Sequence, residues 1–319
     1  MILKLKPAIK DYLWGGTKLK TDFGFESDME KLAEGWMLSC HKDGENVVEN
    51  GKYKGMTLSE VIADCGKDIL GTNGKKFDFF PILIKLIDAK SDLSVQVHPD
   101  NDYALSVEGE YGKTECWYIL DCEENAELIY GFNKKISSEE FRQRIENNSF
   151  LDVVNKVKVS KGDLFFIEAG TLHAIGGGIL LAEIQQNSNT TYRVYDYNRR
   201  DKDGNLRPLH IEKAIDVTSC EPPKYGIKPV GEKQEFDGYS EQLLTECELF
   251  SVRNLEISEK AETTADESSF ISLLVTDGEG KICYSDKEFT AKKGDSFFVS
   301  ASSGKVEIKG QLTVIETRV

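Results

Sequence analysis

Three stretches of the chain carry residue types that can do chemistry together. The longest runs from Gly162 to Arg200, GDLFFIEAGTLHAIGGGILLAEIQQNSNTTYRVYDYNRR. It places His173 after a turn, Glu183 ten residues later and Arg193 ten residues beyond that, with apolar runs between them. On adjacent strands these would offer one cavity a metal ligand, an acid/base group and an anion clamp. The second stretch, LSVQVHP, alternates strictly, so Ser94, Gln96 and His98 share one strand face and Val95 and Val97 the other. In the third, GKTECWYIL, Lys113 and Glu115 share a face if the strand begins there.

Each fragment alone has a plain structural reading. A histidine in such a run is often a hydrogen-bonded core residue. Arg193 and Glu183 could be two halves of one ion pair, and Lys113 with Glu115 an exposed one. Gln96 and His98 could end a strand facing solvent. Together the fragments point elsewhere. Gln96, His98, Glu115 and His173 come from three strand regions and give four nitrogen and oxygen donors with no thiolate. That set suits Zn²⁺, with room for water or substrate as an added ligand.

Several elements must position these groups. PILIKLIDA from Pro81, ECWYIL from Glu115 and AELIYGF around Leu128 read as strands. Thr57 to Glu60 forms a capping box that opens a helix to about Leu70, and Ser137 to Glu140 opens a second, with Phe141 and Ile145 on one face. From Val157 the chain returns to strands through Tyr197, and the alternation Thr191, Arg193, Tyr195, Tyr197 reaches Arg199 if the extended geometry persists. Gly176, Gly177 and Gly178 permit a tight reversal or a close backbone approach. IEKAIDV suits a short helix, where His210 organises the start, while His41 reads as a turn residue.

Residues 220–240 hold three of the seven prolines without periodicity and read as a linker, followed by many short β runs between charged turns. KGDLFFIEAGTLHAI from Lys161 is echoed by KKGDSFFVSASSGKVEI from Lys292. Setting Gly162 on Gly294, a shift of 132, brings His173 onto Lys305. Two related β-barrels are expected, of which only the first keeps its histidine.

Composition narrows the partners. A chain of 319 residues is long enough for two domains. Its net charge of −15 argues against nucleic acid and anionic membrane, and requires any phosphorylated substrate to meet a local concentration of Lys and Arg. Seven cysteines without CxxC spacing, no membrane-spanning run and no signal-like N-terminus lead to the expectation of reduced thiols in the cytoplasm.

LSVQVHPD, GKTECWYIL, GTLHAIGGG and QQNSNTTYRVYDYNR, with DYLWGG near Tyr12 and RPLHIEKA near Leu209, resemble the type I mannose-6-phosphate isomerases in their short bacterial form. The resemblance runs through most of residues 1–217 and more loosely beyond. It implies a mainly β chain of two cupin-type jelly-roll barrels with a small helical insertion at about 137–156. Residues 1–235 would form the metal-binding catalytic domain, and 236–319 a cupin-like domain without ligands. It further implies zinc-dependent interconversion of mannose 6-phosphate and fructose 6-phosphate through a cis-enediol. Carried over, Gln96, His98, Glu115 and His173 are the zinc ligands and Arg193 the active-site arginine. Lys85, Ser94, Lys113, Glu183 and Arg199 fall where the family places substrate-contacting or proton-transfer groups. Glu183 and Lys113 are the candidate bases; Lys85, Ser94 and Arg199 are the candidate phosphate donors. Glu168 stands where the cupin motif usually has Pro, which should alter the turn and spare the metal. The segment from His173 to Glu183 is one residue longer than in the long enzymes, which bears on the register of Glu183. Two other readings compete: a metal-dependent cupin oxygenase, and a non-catalytic sugar-phosphate sensor. The sequence leaves monomer or homodimer open.

Overall fold

The computed structural model describes residues 1–200 and 203–319. Strands Ile82–Ala89 and Ile179–Gln186 are buried from end to end, because they lie inside a sheet covered on both faces. That antiparallel sheet has six strands, in the order Leu164–Ile167, Glu115–Cys122, Ile179–Gln186, Ile82–Ala89, Glu34–Leu38 and Ala8–Lys10. A five-stranded sheet faces it, in the order Tyr192–Tyr195, Val95–Val97, His173–Ala174, Glu127–Phe132 and Val154–Lys158. The space between them is filled by Ile87, Trp117, Ile119, Phe165 and Leu181 from the first sheet and Leu128 and Tyr130 from the second.

Strand alternation sends the neighbouring side chains outward. Ile84, Leu86, Cys116, Ala182 and Ile184 pack against Leu244, Val252, Leu274, Phe298 and Ile315 of the C-terminal part. Behind the five-stranded sheet, Val95, Val97 and Phe132 are covered by helices Ser138–Glu146 and Ile211–Val217 through Phe141, Ala214 and Ile215.

The predicted capping box is present: Thr57 Oγ1 accepts from Glu60 N–H, and Glu60 Oε2 accepts from Thr57 N–H at 2.8 Å. The helix it opens, Leu58–Cys65, stops short of Leu70 because Gly66 takes φ +80° and starts a separate 3₁₀ turn, Lys67–Leu70. Gly176 is a close approach: a Cβ there would lie 1.8 Å from the Glu127 carbonyl oxygen.

The C-terminal sheet departs from the expectation of short runs. Ile271–Tyr284 and Gly304–Arg318 are continuous strands of 14 and 15 residues. They bend at a register shift beside Asp277 and at Gly278 and Gly310, which take φ +71° and +124° and so continue pairing through what reads as turn composition. Strand Ile2–Lys6 joins this sheet beside Ser296–Val299, so a division of the chain at 235 does not divide the sheets. ILKLK alternates clearly, but alternation does not name a partner at the other end of the chain.

The internal echo corresponds to a repeated turn. Leu164–Ile167 and Ser296–Val299 are related by the same shift of 132. Asp163 and Asp295 each accept from the backbone N–H three residues earlier, at 2.8 and 2.9 Å. Gly162 and Gly294 take φ +88° and +90°, and donate to the carbonyls of Ile119 and Val275 respectively.

Candidate metal centre and active-site cavity

Three strand ends bring the ligand types together. His98 follows Val95–Val97, His173 opens its own strand opposite Gln96, and Glu115 opens Glu115–Cys122. Their ligand atoms lie within 4.8 Å of one another, and all three side chains are buried. His98 Nδ1 lies 2.8 Å from the Thr190 carbonyl and His173 Nδ1 lies 2.8 Å from that of Thr171. A carbonyl only accepts, so each Nδ1 carries the hydrogen and each Nε2 presents a lone pair.

Those two lone pairs face each other at 3.1 Å. They lie 3.9 and 3.6 Å from Glu115 Oε1, a buried oxygen with no hydrogen-bond partner. Burial and the charge of Lys113 push both imidazoles toward the neutral form, His173 to about 3. Burial also lifts the Glu115 carboxyl to about 7, with Glu183 adding to the rise and Lys113 opposing it. Two neutral imidazoles and a carboxylate oxygen converging in a dry site have the donor chemistry of a divalent-cation centre. The Lys113 ammonium supplies the adjacent positive charge, bonded to Glu115 Oε2 and 3.1 Å from His98 Nε2. Gln96 reaches the same group, its amide nitrogen 3.5 Å from His173 Nε2 and its oxygen 3.3 Å from Ser94 Oγ.

A cavity of about 280 Å³ opens beside this group, and Lys85, Ser94, Gln96, Lys113, Glu183 and Arg193 all border it. Glu183 and Lys85 are register partners on neighbouring strands, 2.8 Å apart. Trp117 Nε1 donates to the other Glu183 oxygen at 3.0 Å, and Lys113 lies 3.7 Å away. Burial would raise the Glu183 pKa, but Lys113, Lys85 and Trp117 outweigh it and hold the carboxyl at about 2. Burial likewise works against the Lys85 charge, and Glu183 and Glu34 keep the ammonium protonated. A larger cleft of about 750 Å³, bordered by Asp100, Glu168 and Tyr225, contains none of the ten candidates, so chemistry and not size marks the site.

Arg193 is held by Ser94 Oγ at 3.3 Å and the Pro208 carbonyl at 3.0 Å, while its backbone N–H donates to His210 Nδ1 at 3.1 Å. His210 stands at the N-cap position of its helix but makes no side-chain capping bond there. Of the candidates for substrate contact and proton transfer, Arg199 alone does not border the cavity. It bonds to Asp196 and the Asp92 carbonyl, because Tyr197 and Asn198 take φ +54° and +55° and end the alternation that was to carry it inward. Arg207 borders the cavity instead, held by Asp196 Oδ2 at 2.7 Å. Glu34, Trp14 and Asn189 also line it. The isolated Arg in a loop gave no periodic signal, whereas Glu34 inside an apolar run, EGWML, was a visible one.

Two facing N-terminal sheets holding a His-Glu-His group beside a Lys- and Arg-lined cavity, joined to a ten-stranded C-terminal sheet, define a mainly β protein of the cupin class. The chain belongs to the type I mannose-6-phosphate isomerase family. The family model for the phosphomannose isomerase type I catalytic domain matches residues 2–143, and that for the mannose-6-phosphate isomerase cupin domain matches residues 240–319. Mannose-6-phosphate isomerase ManA of Bacillus subtilis (strain 168) is 40% identical over 309 residues, covering 97% of this chain and 96% of its own. The mannose-6-phosphate isomerase of Streptococcus mutans (UA159) is 39% identical over 315 residues, covering 98% and 96%. A crystal structure of the mannose 6-phosphate isomerase from B. subtilis superposes with a TM-score of 0.92 at 39% identity, covering 100% of this chain and 99% of that one.

Proposed function

We propose that the chain interconverts mannose 6-phosphate and fructose 6-phosphate, moving a proton between C1 and C2 through a cis-enediol. One observation carries the reading. The His98–Glu115–His173 group adjoins a cavity bordered by Lys85, Lys113, Arg193 and Arg207, in a chain of net charge −15. An oxygenase would have no use for that concentration of cations.

The proposed ligands are His98, Glu115, His173 and Gln96, and the proposed metal is Zn²⁺, which when bound supplies a Lewis acid for the sugar oxygens. A C–H next to a carbonyl is weakly acidic, so a base must also meet the carbon. We assign proton transfer to Glu183 and Lys113, which border the cavity 3.7 Å apart. Lys85, engaged with Glu183 and Glu34, orients that carboxylate and is not a phosphate donor. Arg193, fixed at two points, holds positive charge where oxygen gains electron density, in a planar geometry that Lys could not copy. Arg207 and Ser94 would receive the phosphate, with Arg199 bracing Arg207 through Asp196.

We further propose that residues 1–235 carry the chemistry and 236–319 serve structure. A cytoplasmic location is supported by seven unpaired cysteines; no helix among the described residues is long and apolar enough to cross a membrane. The test is metal removal. Chelated protein should lose isomerase activity on mannose 6-phosphate and regain it with one equivalent of zinc; full activity in metal-free protein would overturn the proposal.

A further inference from the structure

We propose that Glu110 is a positioning residue for the metal centre, acting on His98 through residues 187–191. The inference rests on His98 being a metal ligand, as assigned above. Residues 187–191 cross from strand Ile179–Gln186 in one sheet to strand Tyr192–Tyr195 in the other. Within that crossing the Thr190 carbonyl accepts from His98 Nδ1 at 2.8 Å, which fixes the tautomer and turns Nε2 toward Glu115 and His173. A carbonyl on a connecting segment holds an imidazole only as well as the segment itself is held.

The start of the segment is tied by Asn187 N to the Pro81 carbonyl at 2.9 Å and by Gln185 to the Ser188 carbonyl at 2.6 Å, and Glu110 holds the part next to Thr190. Its Oε2 lies 3.3 Å from Asn189 N and 3.5 Å from Thr190 Oγ1, both just N-terminal to the carbonyl that orients His98. The same carboxylate meets His41 Nε2 at 3.5 Å and Lys42 Nζ at 2.9 Å. His41 Nδ1 accepts from Asp43 N–H at 3.1 Å, so the imidazole hydrogen sits on Nε2, facing Glu110. Asp43 adds a second tie, accepting from the Asn189 amide at 2.8 Å. The turn after strand Glu34–Leu38 and the crossing at 187–191 are thus joined through two carboxylates, Glu110 and Asp43.

The placement excludes direct contact with substrate. Asn189 and Thr191 border the active-site cavity, whereas Glu110 borders a separate pocket of about 410 Å³ with His41 and Asn187. The crossing is the wall between the two. Glu110 therefore acts on the ligand set from behind, and its loss should appear in metal retention before it appears in substrate affinity.

The experiment compares the full chain with Glu110→Ala and Asp43→Ala, measuring zinc affinity by competition with a chromogenic chelator and the visible spectrum of the cobalt-loaded protein. Removing a group that orients a ligand from behind should weaken zinc about tenfold in Glu110→Ala, with a changed cobalt spectrum. Asp43→Ala should do the same to a smaller degree. kcat should fall while KM for mannose 6-phosphate stays within about twofold. Wild-type zinc affinity and an unchanged cobalt spectrum in Glu110→Ala would overturn the inference, even with a lowered Tm. Should that variant not fold, Glu110→Gln takes its place under the same criteria. Absence of zinc binding in the unaltered chain would instead overturn the functional reading and this inference together.

Discussion

The six-stranded sheet of the first half and the C-terminal sheet carry the same trio of charges at the same register positions. In the first, Glu183 faces Lys85 across paired strands, and Glu34 lies 4.0 Å from that lysine. In the second, Glu316 faces Arg253 across paired strands, and Glu241 lies 3.4 Å from that arginine. On their other sides Glu183 pairs with Trp117 and Glu316 with Leu273. Two residues back along those strands, where the first half has Glu115, the second has Ile271, and the shift of 132 sets Lys305 on His173. Its interior is closed by Ile271, Leu273, Val275, Phe297, Ile308 and Val314. An acid–cation–acid trio at these register positions is therefore a property of the scaffold, buried in the first half and partly exposed at Arg253 and Glu241 in the second. The proposed chemistry adds to it the histidines, Glu115 and the indole that bonds to Glu183. The contrast is visible atom by atom: Trp117 donates to Glu183 Oε2, whereas Glu316 Oε2 has no hydrogen-bond partner.

The largest effect should come from emptying the site that only the first half has. His173→Ala removes one of two imidazoles from a fully buried ligand set. It should cost bound zinc and lower kcat/KM by about a thousandfold or more, measured by metal analysis beside the isomerase assay. Retention of both would place the metal elsewhere and erase the difference between the halves.

The next comparison pits the two trios against each other. Glu183→Gln should lower kcat by about 10²- to 10⁴-fold, the range for a lost acid/base group. Glu316→Gln, at the matching position, should leave kcat within about twofold and cost stability instead. Burial works to raise the Glu316 pKa, but the charges of Arg253 and Arg318 prevail and hold it below 4.5. A depressed carboxyl contributes stability above its unfolded value, and that contribution is lost as pH falls through the folded one. The gap between wild type and Glu316→Gln should thus be about 1–2 kcal/mol at neutral pH, allowing for the partial exposure of both arginines. It should be flat above 4.5 and close below it, in denaturant titrations at each pH. Equal losses of activity from the two variants would mean that the halves are not divided between chemistry and structure.

Much of this asymmetry is legible in the sequence because it is local. Alternation in LSVQVHP and the capping residues Thr57 and Ser137 act within a few residues, and their elements form where the pattern places them. The repeated Gly-Asp turn also shows itself, since one turn geometry demands one pattern twice. What is not legible is non-local or conformational. Arg199 is lost to the cavity through two positive φ angles that Tyr197 and Asn198 do not advertise. Arg207 and Glu110 act through partners up to 80 residues away, in loops without periodicity. The trio in the second half is visible only in strand register, which composition does not encode.

The smallest expected effect tests the echo itself. The shift of 132 sets Lys305 on His173, yet the Lys305 side chain is 76% exposed and pairs with Glu262 at 3.3 Å. That carboxylate is already met by Lys260 at 3.1 Å, so removing Lys305 strands no buried charge. Surface pairs of this kind contribute little, and Lys305→Ala should move Tm by no more than about 1 °C with zinc content and kcat unchanged. Calorimetry and the isomerase assay on one preparation decide it. A change in kcat beyond about twofold would mean that the second half reaches the first through the shared layer of Leu274, Phe298 and Ile315, and that its lost histidine did not end its part in the chemistry.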